Sequence, residues 1–228
     1  MKKIAVLLLL ALIFALAGCS STDTNTTNNQ NAVSNQSGDI SNENIQTANT
    51  PTTASNTHDN SSAVLTKLFS GKFTVGQDIP AGRYVITGDG SGNLFVYDKN
   101  GLPIISEILG ESMGIGVPSV TTDIEAGNEI EISGINNVTF TPAVTDSSTK
   151  LTTGTWVVGL DIPAGKYDAT CDDDKSGNLF VYDGILPIVS EILDKSGMGI
   201  GVEKTRVDLK DGQKIQISGM PSVSFVSA

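Results

Sequence analysis

Histidine is almost missing from this chain: His58 is the only one, and it stands in a polar stretch ahead of every strand-like segment. Ser-His-Asp and Cys-His nucleophiles and His-ligated metal centres are therefore excluded from the part expected to fold. Cysteine is nearly as scarce, with only Cys19 and Cys171. Arginine is limited to Arg83 and Arg206, and tryptophan to Trp156. The chain is also poor in basic charge, with 14 Lys and Arg against 25 Asp and Glu. Once Lys2 and Lys3 are set aside, 12 remain against 25, a net charge of −13. Such a surface opposes nucleic acid and anionic lipid heads, which require basic patches. Nucleic acid is not an expected partner.

Long apolar runs are lacking too, with one exception. Ile4 to Ala15 is unbroken, follows Lys2-Lys3 and leads into Leu16-Ala17-Gly18-Cys19. A positive start, a short apolar core and small residues at a cut site describe a signal peptide. The run falls short of the roughly 20 residues that span a bilayer core. Leu16 to Cys19 resembles a bacterial lipobox, which implies cleavage before Cys19 and diacylglycerol on its sulfur. Residues 1–18 are thus expected to be a lipoprotein signal peptide, and Cys19 the lipidation site. Each buried methylene contributes about 0.8 kcal/mol, so two or three chains of palmitate type hold where one does not. The expected location is the extracytoplasmic face of a cell membrane, with the membrane as partner through the lipid. Cys171 is left as a single thiol, which rules out an internal disulfide framework.

From Ser20 to Ser62 the chain is almost wholly Ser, Thr, Asn, Gln and Asp. It has no apolar period, so residues 19–62 are predicted to be a lipidated, disordered tether. Its 43 residues after Cys19 imply a mean span of roughly 35–40 Å.

The remainder is an internal repeat. Val75-Gly-Gln-Asp-Ile-Pro-Ala-Gly-Arg-Tyr84 returns as Val158-Gly-Leu-Asp-Ile-Pro-Ala-Gly-Lys-Tyr167. Ser91-Gly-Asn-Leu-Phe-Val-Tyr-Asp98 returns unchanged as Ser176 to Asp183. Leu102 to Leu109, Met113 to Val117 and Ile132-Ser-Gly134 all have counterparts further on. Two modules follow, 69–142 and 151–228. Each reads as short strands between turns, and no helical period is sustained beyond a single turn at Ser106 to Leu109. The last pair of apolar segments, Val120 to Ile124 and Glu129 to Ile132, has the pattern of a half-buried hairpin. The expected fold is all-β, two tandem β-sandwich or jelly-roll-like modules, and the short connection from Ala143 to Lys150 favours contact between them.

Taken together, Val-Gly-x-Asp-Ile-Pro-Ala-Gly-x-Tyr, Ser-Gly-Asn-Leu-Phe-Val-Tyr-Asp and the Ile-x-Ile-Ser-Gly ending resemble a recurrent module of Gram-positive surface lipoproteins. The resemblance covers nearly everything after Phe69. It implies a compact extracellular β-domain and carries over no catalytic residue.

Candidate chemistry is sparse. Asp172-Asp-Asp174-Lys-Ser176-Gly177 has oxygen donors at alternate positions and glycine sixth, as at the start of a calcium loop. Against this, the strand expected from Leu179 carries Asp183 away, and the matching turn at Gly88 to Gly92 lacks most of the acids. Asp172, Asp174 and Ser176 are thus a weak calcium candidate. Cys171 is expected in a polar turn, its pKa raised by neighbouring carboxylates. Asp78 and Asp161 read as turn caps. Asp98 with Glu107, or Asp183 with Glu191, are the carboxylate pairs that a small glycan hydrolase would use. Trp156, Tyr182 and Tyr97 are candidate ligand contacts, competing with core packing. Gly114-Ile-Gly116 and Gly199-Ile-Gly201 lack the lysine and helix of a phosphate loop, and no cofactor is expected. The leading expectation is a non-enzymatic surface protein whose partner is a wall polymer, a glycan or an envelope protein. A carboxylate-dependent hydrolase is the alternative.

Overall fold

Alternating apolar residues in Arg83-Tyr84-Val-Ile86 and Leu94-Phe-Val96-Tyr bury one face of each segment, which is what a sandwich strand requires. The computed structural model describes residues 57–111 and 115–228. Module 1 contains β1 (Thr66–Leu68), β2 (Gly71–Thr74), β3 (Gly82–Gly88), β4 (Gly92–Tyr97), β5 (Pro103–Leu109), β6 (Val120–Ile124), β7 (Glu129–Ser133) and β8 (Val138–Pro142). Its strands form two sheets in the orders β1-β8-β3-β6 and β2-β7-β4-β5. That pair of orders is a jelly roll, two interlocked Greek keys. The chain is all-β, as expected.

Module 2 repeats the plan with fewer breaks. Its strands are β9 (Lys150–Val157), β10 (Gly165–Cys171), β11 (Ser176–Asp183), β12 (Leu186–Asp194), β13 (Thr205–Leu209) and β14 (Lys214–Ser227). The long β9 does the work of β1 and β2, and β14 that of β7 and β8. Lys214 to Ile217 pair with one half of β9, Ser222 to Ser224 with the other, and the ladder is interrupted between. Each module has its own core. Tyr84, Ile86, Leu94, Val96, Ile130 and Phe140 fill the first, and Tyr167, Leu179, Val181, Ile215 and Phe225 the second. Tyr84 meets Phe140 edge-on and Tyr167 meets Phe225 in the same way.

Several local expectations are corrected. Ser106 to Leu109 is strand β5, because Ile105 and Leu109 alternate inward. The segments flanking Glu125 to Asn128 do not form a hairpin. β6 pairs with β3 and β7 with β4, so the turn carries the chain from one sheet to the other. Alternation in both segments is real, but it faces a shared core across the sandwich rather than across one ladder. Cys171 is not in a polar turn. It ends β10, where Tyr167, Ala169 and Cys171 alternate into the second core. Burial is the main cause that pushes its thiol up, with Asp194 adding a little.

The modules are in contact. Thr121 of β6 bridges in parallel to Gly154 of β9, which joins one sheet of module 1 to the six strands of module 2 in a continuous ten-stranded sheet. A Cβ on Gly154 would lie 1.9 Å from the Thr121 carbonyl oxygen, so only glycine permits this approach.

Candidate functional site

The site is built where the two jelly rolls meet. Arg83 leaves β3 at the module boundary and is 1% exposed. Its Nη1 donates to Asp123 Oδ2 at 2.6 Å, and its Nη2 to the Thr155 carbonyl at 3.0 Å and to Asp161 Oδ2 at 3.4 Å. The guanidinium also lies 4.8 Å from the centre of the Trp156 ring. One side chain of module 1 therefore engages three groups of module 2. Asp161 is 1% exposed and accepts the Val157 N–H at 2.7 Å, the capping role expected of it. Asp78 does the same for Thr74 in module 1, also at 2.7 Å.

His58 completes this cluster. Its ring nitrogens lie 3.1 Å from Asp123 Oδ1 and 3.0 Å from both carboxylate oxygens of Asp161. The side chain is only 7% exposed, although the sequence reading put it in the tether. Its backbone N–H donates to Thr145, and Asn60 donates to the Ala143 carbonyl while accepting from the Arg83 N–H. Residues 58–62 thus strap the boundary instead of hanging free. Cys19, the signal peptide at 1–18 and the tether up to residue 56 lie outside the described residues.

Beside the cluster, a cleft of about 540 Å³ opens between the modules. Asp98, Ile104 and Glu125 of module 1 form one wall, and Trp156, Tyr182 and Gln216 of module 2 the other. Its volume falls within the range of about 300–1,000 Å³ usual for small-molecule sites. Tyr182 sits on Phe180 with ring centres 6.1 Å apart, and its hydroxyl is 3.4 Å from Gln216 Oε1. Trp156 is more committed. Its Nε1 donates to the Thr152 carbonyl at 2.8 Å, and the ring packs on the second core as well as beneath Arg83. Tyr97, the counterpart of Tyr182, stacks on Phe95 at 6.0 Å and does not line the cleft. Two of the three aromatic candidates are therefore brought together.

The carboxylate pairs are not. Asp98 accepts the N–H groups of Asn100 and Leu102 within its own turn, which lowers its pKa. Glu107 pairs across the ladder with Leu94, four residues from Asp98, or about 13 Å along the strand. Glu191 stands opposite Leu179, equally far from Asp183. These separations exceed the roughly 5–10 Å of glycosidase pairs. The calcium candidate also dissolves into ion pairs. Asp172 meets Lys150 and Ser222, Asp173 meets Lys195, and Ser176 enters β11. Among the described residues no three His, Cys, Asp or Glu side chains gather as a metal site.

Glu107 instead spans the modules, its Oε2 accepting the Gly219 N–H at 3.1 Å. Burial raises its carboxyl pKa, while hydrogen bonds from Ser218 and Gly219 oppose the rise. A folded pKa above the unfolded one means stability is greatest while the group is protonated, and falls as pH climbs through the raised value. Glu107→Gln keeps the shape and an accepting oxygen without the buried charge. Its melting temperature at pH 7 is expected to rise by about 2 °C, with no gain near pH 3. Calorimetry across that range checks this, and an equal gain at both pH values would refute it.

No family model, curated protein or solved structure matches the chain.

Proposed function

We propose that this chain is a lipid-anchored protein of the extracytoplasmic membrane face whose inter-module cleft binds a segment of cell-wall glycan without cleaving it. The observation that carries this reading is the cleft itself. It combines an aromatic platform at Tyr182 with an amide at Gln216 and a carboxylate at Glu125, contributed by both jelly rolls. Apolar rings contact sugar faces, while amides and acids order the hydroxyls. The wide separation of Asp98 from Glu107 and of Asp183 from Glu191 supports binding over turnover, and the lipobox-like Leu16 to Cys19 supports the location.

Two experiments test the two halves. Trp156 is the chain's only tryptophan and lines the cleft, so its emission reports occupancy directly. Titration with muramidase-solubilised peptidoglycan fragments is expected to change that emission. Tyr182→Ala should weaken binding about tenfold, equivalent to about 1.4 kcal/mol, and Tyr97→Ala should leave it unchanged. No response to any wall fraction would end the glycan reading. Cys19→Ser, in turn, is expected to move the chain from the detergent phase to the aqueous phase on phase partition, with the mature N-terminal mass losing its acyl chains. A wild-type chain that partitions into water would end the anchoring reading.

A further inference from the structure

The contact between the modules leaves both outer ends of the molecule with the same edges that it uses inside. In the ten-stranded sheet the internal join is β6 to β9, and the open edges are β1, β13 and, on the branch through β11, β12. We propose that the β12–β13 edge of module 2 docks on the β1–β2 edge of module 1 in a second copy, repeating the internal junction and building an open head-to-tail chain.

The duplication supplies the parts. Glu107 and Ile104, which reach the Gly219 N–H and the Gln216 amide from β5, have Glu191 and Ile188 as counterparts on β12. Gly154 and Gly219, which receive module 1, have Gly71 and Gly134 as counterparts on the open side of module 1. Val202 of the following loop bridges to Leu193 at one end of β12, and among the described residues the rest of that edge has no strand beside it. Val117 is fully buried, yet its counterpart Val202 is 42% exposed, and Ile188 is 52% exposed on the same edge. At the other end Phe69 is 62% exposed. These exposed side chains are the apolar contacts that a repeat of the junction would cover.

Both ends carry mixed charge: Lys204 and Arg206 at β13 pair with Asp168 of the neighbouring strand, and Lys72 of β2 pairs with Glu131. Lys166 is the counterpart of Arg83 and Asp78 of Asp161, so the buried Arg–Asp contact becomes a Lys–Asp contact. Thr121 and Thr152 face each other with hydroxyl oxygens 3.4 Å apart, and their counterparts are Arg206 and Phe69, a cation facing an aromatic ring. A head-to-tail contact of unlike surfaces does not close on itself and propagates unless the rotation forms a ring. The inference depends neither on the lipid anchor nor on a cleft ligand.

The Thr121–Thr152 geometry sets the test. In the purified full chain, Thr121→Cys with Thr152→Cys is expected to close a disulfide within one molecule. Phe69→Cys with Arg206→Cys is expected to give a ladder of two, three and more linked chains. Each single variant measures the background from Cys19, since Cys171 is buried. Adding Glu191→Lys, at a half-buried site away from the core, should reduce the ladder at least fivefold. The unsubstituted chain should gain mass with concentration in light scattering, and Glu191→Lys should not. A mass that stays at one chain throughout would overturn the proposal, as would a ladder indifferent to Glu191→Lys.

Discussion

Gly154→Ala is expected to part the two modules while leaving each jelly roll folded. The added Cβ would meet not a side chain that can swing aside but the Thr121 backbone, at 1.9 Å from its oxygen, 2.7 Å from its carbonyl carbon and 2.8 Å from its nitrogen. The residue also has φ +135°, a region closed to alanine without strain of about 1–3 kcal/mol. Relief requires β9 to retreat from β6, which breaks their parallel bridge and loosens the contacts of Arg83 across the same boundary. A total loss of roughly 3 kcal/mol is expected, near the upper range for single substitutions. Gly71→Ala is the matched control. Its φ of +157° also disfavours alanine, but its Cβ would meet only the ring of its own neighbour Phe73, at 3.3 Å, and no backbone of the other module. Small-angle scattering should therefore show elongation for Gly154→Ala alone, with protease cutting between residues 143 and 149. Equal behaviour of the two variants would mean that backbone conformation, and not the module contact, makes glycine necessary.

The pattern of the sandwich was open to reading because it is local. Alternation in Arg83 to Ile86, the Asp-Ile-Pro-Ala-Gly turns and the repeat itself are set by neighbours in sequence. The pairing of β6 and β7 was misread for the same reason, since a tight turn with alternating flanks looks alike whether its strands share a sheet or face each other across a core. Cys171 looked polar from Asp172 to Asp174 next to it, yet its side chain obeys the alternation of the strand before it. The junction was hidden because its members are far apart in the chain, with His58 and Asp161 separated by 103 residues. One signal was present all the same. The two copies differ at Arg83 and Lys166, Thr155 and Lys72, Trp156 and Phe73, and the first-named residue of each pair meets the boundary. Divergence at these three positions was a readable sign of the boundary, although Gly154, Gly219 and Glu107 meet it with the same residue in both copies.

Arg83→Met is expected to be the most damaging change that adds no bulk. Methionine fills most of the aliphatic volume but supplies no donor, so Asp161 remains a buried carboxylate held only by His58 and the Val157 N–H. Removing one partner of a buried pair typically costs about 3–5 kcal/mol, because the other charge stays desolvated. The Thr155 carbonyl loses its donor as well, and the Trp156 ring loses the cation above its face. As the sole tryptophan, Trp156 makes this visible, and its emission should shift to longer wavelength as water reaches the boundary. Arg83→Lys keeps the charge but has no planar fork to serve Asp123, Thr155 and Asp161 together, so an intermediate loss is expected. The decisive arm is the double variant Arg83→Met with Asp161→Asn. Asparagine can still cap Val157 through its carbonyl oxygen and leaves no unpaired charge, so the double variant should be more stable than Arg83→Met alone, by roughly 1–2 kcal/mol. Denaturant unfolding measures that coupling. If the two losses simply add, Arg83 and Asp161 act independently, and the two jelly rolls are held together by β6 and β9 without the buried charge cluster.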